Sequence, residues 1–241
     1  MVVGVLPGSG AARVGVRPGD VLLSVENTAM PKGPDAERQA ASVLSPLVGN
    51  RTMLKLGLIR DGRNVQANVR LTPACAFGIE LGNANHINSY ADGRRVLVTR
   101  GLFEFTQNDT ELAYVVARDM AHNALSHARR RDMTATIGDI IDNLVRIEPD
   151  LISLSGTSGI QPYSADFDVA ADTLALYMVA RAGYNLDGAL AFWQRLANQY
   201  PASVLNSHTS LHPSTAKRWN AIQRTVTLIA KKKSERRLLL P

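Results

Sequence analysis

Two unlike patterns share this chain, and their order along it constrains the fold more than any single motif. Up to about residue 73, short apolar runs are broken by Gly, Pro and Asp; beyond about residue 109, long stretches carry helix formers and helix caps. The combined pattern predicts an α+β chain. A small β-rich domain is expected over 1–73, a mainly helical domain with an edge strand over 83–231, and a basic tail over 232–241. A length of 241 residues suffices for two modest cores.

In the first part, Val2–Leu6 reads as a strand and Pro7-Gly8-Ser9-Gly10 as a turn. Ala11–Val16 reads as a short helix stopped by Pro18-Gly19, and Asp20–Val25 as a strand. Asp35–Leu47 carries helix formers, with Asp35 placed as a cap and Pro46 and Gly49 near the end. Met53–Arg60 and Asn64–Leu71 read as strands joined by Asp61-Gly62, a strong hairpin signal, and Thr72-Pro73 closes the unit.

Near Asn83 the pattern changes. Arg95–Thr99 is a run of β-branched and apolar residues, hence a strand. Asn108-Asp109-Thr110-Glu111 supplies caps for a long helix over about 111–130, and 132–150 reads as helical. A Ser/Gly/Thr-rich connection over 151–164 leads to helices at about 165–182, 186–199 and 214–231, with Gly183 as a stop and Pro213 at a start.

Composition removes several classes. No run approaches the roughly 20 apolar residues of a membrane span, and Ile137–Ile147 is interrupted by Asp139, Asp142 and Arg146. The start has no basic region and no long apolar region, so no signal peptide is expected and the chain as written reads as cytoplasmic. Cys75 is the only cysteine, which excludes an internal disulfide and a thiolate zinc cage. The net charge of +6 is concentrated in Arg129-Arg130-Arg131 and in Lys231-Lys232-Lys233 with Arg236-Arg237. Such clusters can hold nucleic acid or anionic lipid through phosphates. No aromatic residues interleave to stack bases, so a solvated helix end and a frayed tail are expected, without a nucleic-acid partner.

The run from Pro7 through Val25 resembles a PDZ domain, with turn, helix, Pro-Gly-Asp stop and strand in register. The resemblance implies a groove in which an extended peptide adds as a strand. In that family a loop that grips the peptide carboxylate precedes the strand beginning here at Met1, so the module is expected to be truncated. Relatives of this architecture are usually exported. The expectation is therefore either a fragment of a longer exported protease or a true start at Met1.

The long helix contains Ala117-Arg118-Asp119-Met120-Ala121-His122 and, one turn on, His127. Upstream lie Asn88-Ser89-Tyr90-Ala91-Asp92-Gly93 and Val96-Leu97-Val98-Thr99; downstream lie Tyr163-Ser164-Ala165-Asp166-Phe167-Asp168, Asp172 and His212-Pro213-Ser214. Together these resemble the zinc metallopeptidases of family forty-eight, the gluzincins that include the CAAX prenyl protease, HtpX and BepA-like periplasmic enzymes. The resemblance implies a zinc held by His-x-x-x-His on one helix and a Glu on another, with a Glu after the first His as base. Position by position, Arg118 stands for the first His, Asp119 for the catalytic Glu, His122 for the second His and Asp168 for the third ligand. Asp172 is the supporting carboxylate, His212 lies near the metal in some relatives, and Val96, Leu97, Val98 and Thr99 form the strand that pairs with extended substrate.

The substitutions alter the chemistry. A guanidinium stays protonated and offers no lone pair to a metal. Asp168 is one methylene shorter than Glu, a shortfall of about 1.5 Å, and Asp119 has the same deficit toward a bound water. Zinc is expected to be weak or absent, with Arg118 a fixed cation paired with Asp168 and Asp119. The result would be an impaired peptidase that still binds extended peptides. The competing expectation is an active zinc metalloendopeptidase using His122, Asp168 and His212. His127 reads as a structural histidine, His86 and His208 as exposed loop residues, and Trp193 and Tyr177 as core.

Overall fold

The computed structural model describes residues 1–5, 8–33, 35–48, 51–71, 77–154, 160–201 and 212–241. The readings at Leu6, Pro7, Gly49, Thr72-Pro73, Cys75 and His208 fall outside the described residues. The chain is α+β and divides into two compact units, Met1–Ala74 and Cys75–Pro241.

The first unit opens with helix α1 (Gly10–Arg13), which starts because the Ser9 hydroxyl accepts the Ala12 N–H at 3.1 Å. Its sheet has β1 (Val21–Val25), β2 (Thr28–Ala29), β3 (Met53–Arg60) and β4 (Arg63–Arg70), antiparallel in the order β2-β1-β3-β4. Asp61 and Gly62 take φ of 49° and 74°, the left-handed pair that a two-residue hairpin requires, and they set Arg60 opposite Arg63. Helix α2 (Ala36–Val48) covers this sheet with Ala40, Val43, Leu44 and Leu47 packed on Val25, Met30 and Leu54. Val2–Val5 is not a regular strand. Val2 is held by its N–H to the Asp20 carbonyl at 2.7 Å and its carbonyl to the Gly19 N–H at 2.8 Å, and Val5 by packing on the core of Val16, Leu58, Ala67 and Val69.

The second unit begins with a strand that the sequence reading passed over, β5 (Gly78–Gly82), followed by β6 (Ser89–Ala91) and β7 (Arg95–Thr99). The order is β5-β7-β6, parallel on the β5 side and antiparallel on the β6 side. This corrects one expectation. Val96, Leu97, Val98 and Thr99 lie on the central strand, at most 3% exposed, with neighbours on both sides, so they have no free ladder for a peptide. The pleat divides the core: Val96 and Val98 join the cluster of Val115, Ala171 and Phe192, while Leu97 joins that of Ile137, Ile140 and Ile141.

Among the described residues of this unit the helices are α3 (Arg100–Phe105), α4 (Asp109–Ala124), α5 (His127–Arg130), α6 (Thr134–Leu144), α7 (Leu151–Leu154), α8 (Ala165–Arg181), α9 (Ala189–Gln199) and α10 (Ala216–Ser234). The helix expected over 111–130 breaks at Ser126, whose φ of 55° turns the chain before α5. The stretch expected helical to 150 ends at Leu144. There the Asn143 side chain brackets Asp150, donating to its carbonyl and accepting its N–H. Among the described residues, no helix is long and apolar enough to cross a membrane.

Candidate active site

Helix α4 starts where the Asn108 side chain accepts the Glu111 N–H, and from there Arg118 and His122 fall one turn apart on the same face. Helix α8 packs against α4 and is capped by the Ser164 hydroxyl; Asp168 and Asp172 likewise sit one turn apart on it. His212 arrives just ahead of α10. All five side chains, with Asp119, are 1–2% exposed.

The Arg118 guanidinium lies between the two carboxylates, with Nη2 on Asp168 Oδ1 at 2.5 Å and Nε on Asp172 Oδ1 at 2.7 Å. Among the described residues its carboxylate partners are Asp168 and Asp172 rather than the expected Asp119, whose Oδ2 has no hydrogen-bond partner. Arg218, unnoticed in the sequence, grips Asp172 from α10 with Nε at 2.9 Å and Nη2 at 3.3 Å, and donates to the His212 carbonyl at 2.9 Å. His212 Nδ1 closes the chain of contacts on Asp168 Oδ1 at 2.8 Å. Trp193 floors the network, 5.3 Å from Arg118 and 5.9 Å from Arg218. Two cations therefore face two carboxylates, and all four side chains are at most 2% exposed.

Burial pulls the Arg118 pKa down, but Asp172 and Asp168 outweigh it and hold it above the ordinary value. Burial pushes Asp168 up against the pull of Arg118 and Arg218, so its ionised form depends on those guanidiniums. Asp119 is pushed up to about 6 by burial, with the nearby Ser89 hydroxyl and Arg118 acting the other way. Burial, reinforced by Arg118, drives His122 and His212 well below the usual imidazole range, so both are neutral.

An aromatic and imidazole cluster closes the other side. His122 and His127 share a hydrogen bond through their Nδ1 atoms at 2.9 Å, and His127 stacks on Phe167 at 4.3 Å. Tyr163 lies over His122 and His212, its ring 4.5 and 5.4 Å from theirs. His86, expected in an exposed loop, is half-buried with Nε2 3.2 Å from the Tyr90 hydroxyl. Beside Asp119 Oδ2, four more buried polar atoms here lack hydrogen-bond partners: His122 Nε2, Asp168 Oδ2 and the Ser89 and Tyr163 hydroxyls.

Among the described residues, His122, Asp168 and His212 form the group able to hold a metal, their ligand atoms all within 4.8 Å of one another. Comparison with known proteins fixes what family this geometry belongs to. The model of Peptidase family M48 matches residues 64–226, well over half of the chain. The chain belongs to peptidase family M48. This is a zinc-metallopeptidase family acting on proteins or peptides. The chain is similar to the beta-barrel assembly-enhancing protease of Yersinia pestis, 28% identical over 149 residues, which is 55% of this chain and 30% of the relative. It is also similar to the mitochondrial metalloendopeptidase OMA1 of Arabidopsis thaliana, 27% identical over 128 residues, 52% of this chain and 26% of the relative. The putative beta-barrel assembly-enhancing protease of Vibrio cholerae matches at 28% over 162 residues. The chain thus spans about a third or less of the length of these relatives.

The residues that sequence reasoning missed are Arg218, Ser89 and Tyr163. Tyr163 and Ser89 were visible inside quoted motifs but carry no chemistry until the fold brings them to His122 and Asp119. Arg218 had a signal: it lies six residues after His212, in the first turn of a helix, from which its side chain reaches Asp172.

Proposed function

We propose that this chain is a catalytically impaired M48 peptidase in which Arg118 takes the place of the metal. The observation that carries the reading is the buried Arg118 guanidinium, 2.5 Å from Asp168 and 2.7 Å from Asp172. The carboxylates of Asp168 and Asp172 are already balanced by Arg118 and Arg218. A dication about 5 Å from a guanidinium meets about 7 kcal/mol of repulsion at an effective dielectric of about 20. The residues do not fit a catalytic zinc, and Asp119 is left without a metal-bound water to deprotonate.

Retained peptide binding requires a free strand edge. In the sheet of the second unit that edge is β5, whose Ile79 and Leu81 are 52% and 55% exposed, since β7 is central and β6 is buried throughout. For the first unit we keep the PDZ-like reading as a packing module. Its support is the capped α1 followed by the Pro18-Gly19 turn and β1.

A competing reading, an active metalloendopeptidase through His122, Asp168 and His212, is favoured by the unpartnered His122 Nε2 and Asp168 Oδ2. Casein hydrolysis with and without chelator separates the two. The wild type is expected to show no chelator-sensitive cleavage, and the Arg118→His, Asp119→Glu, Asp168→Glu triple variant to gain it. Equal chelator-sensitive turnover in both would establish the competing reading instead.

A further inference from the structure

The C-terminal tail does not fray. Helix α10 stops where Arg236 takes a φ of 53°, with the Arg236 N–H on the Lys233 carbonyl at 3.1 Å and the Arg237 N–H on the Lys232 carbonyl at 2.8 Å. The chain then folds back. Leu239 packs against the main core, and the Lys232 ammonium, 4.8 Å above the Tyr177 ring, donates to the Leu240 carbonyl. Pinning Leu239 inward turns its neighbours out: Leu238 is 80% exposed and Leu240 50% exposed. Just before them in the chain, Lys231, Lys233, Arg236 and Arg237 are all exposed, with one acid among them, Glu235, 3.9 Å from Lys231 and 3.4 Å from Arg237.

Cations in the last turn of a helix offset its dipole, which accounts for Lys231 to Lys233. That effect does not reach Arg236 and Arg237 beyond the helix end, and it gives no reason for two leucines held in water. Exposed cations next to protruding aliphatic side chains match the headgroup and acyl boundary of an anionic bilayer: the charges meet lipid phosphates, and the leucines enter the apolar layer. Nucleic acid would be served by stacking rings, and the patch exposes leucine instead.

We propose that the end of α10 and the tail after it form a docking surface for an anionic phospholipid bilayer. The test is co-sedimentation of the whole chain with vesicles of phosphatidylcholine alone or mixed with phosphatidylserine. Binding is expected to the mixed vesicles only, and to weaken as salt is raised. Lys233→Glu, Arg236→Glu, Arg237→Glu together should cut the partition coefficient about a hundredfold. Leu238→Ser with Leu240→Ser should cut it about tenfold with the charges intact. All five positions are exposed, so the fold survives these changes. Equal partition onto both vesicle types would overturn the proposal. So would insensitivity to the charge reversal, or an unaffected leucine variant whose binding is competed away by duplex DNA.

Discussion

Arg118 is the residue on which the site turns. Removing one partner of a buried ion pair leaves the other charge without compensation, typically at about 3–5 kcal/mol. Arg118→Met should therefore lower stability by about that much and let Asp168 take up a proton. The Arg118→Met, Asp168→Leu double variant should recover a large part of the loss. Chemical denaturation of the three proteins measures this, and a near-neutral Arg118→Met would mean that the guanidinium has no structural part. The substitutions at 118, 119 and 168 were legible from spacing alone, because helical period places i and i+4 together whatever the residue type. The partner assignment was not: Asp119 follows Arg118 in sequence but projects elsewhere, while Asp172 and Arg218 come from other helices.

At the level of elements, the turn from β7 into α3 is a close approach. A Cβ at Gly101 would lie 2.0 Å from the Asn85 carbonyl oxygen and 2.9 Å from that of His86, both backbone atoms. Gly101→Ala must therefore move the 85–86 loop away from β7, and a destabilisation of about 2–3 kcal/mol is expected in thermal melts. An unchanged melting temperature would show that the loop yields freely. The longer helices and strands β1, β3, β4 and β7 could be read from caps, turns and periodicity, whereas α3, α7, β2 and β6 were not. Strand β5 could not, because Gly78 and Gly82 bracket only three side chains, and its parallel pairing with β7 is non-local. That omission made β7 look like an edge. A central and an edge strand share the same apolar run, and only neighbours distinguish them.

At the scale of the whole molecule, an ion pair outside the site adds an acid-sensitive contribution to stability. Asp20 accepts Arg60 Nε at 2.7 Å and Nη2 at 2.7 Å, and the Arg17 N–H at 2.9 Å; the Arg60 bond foremost holds its carboxyl down at about 2. The folded value lies below the unfolded one near 3.8, so this stabilisation is complete above about pH 4 and is lost as the pH falls toward 2. Unfolding of the first unit, followed over that range, should become easier with acid in the wild type and much less so in Asp20→Asn. Parallel curves would exclude Asp20 as the cause.

The family match and the altered donors meet in one quantity, the zinc carried by the purified protein after expression with zinc in excess. With Arg118 seated between Asp168 and Asp172, elemental analysis should find far less than one zinc per chain, and the Arg118→His, Asp119→Glu, Asp168→Glu variant should approach one. A wild-type protein that holds one zinc per chain, and loses it on His122→Ala, would contradict the account.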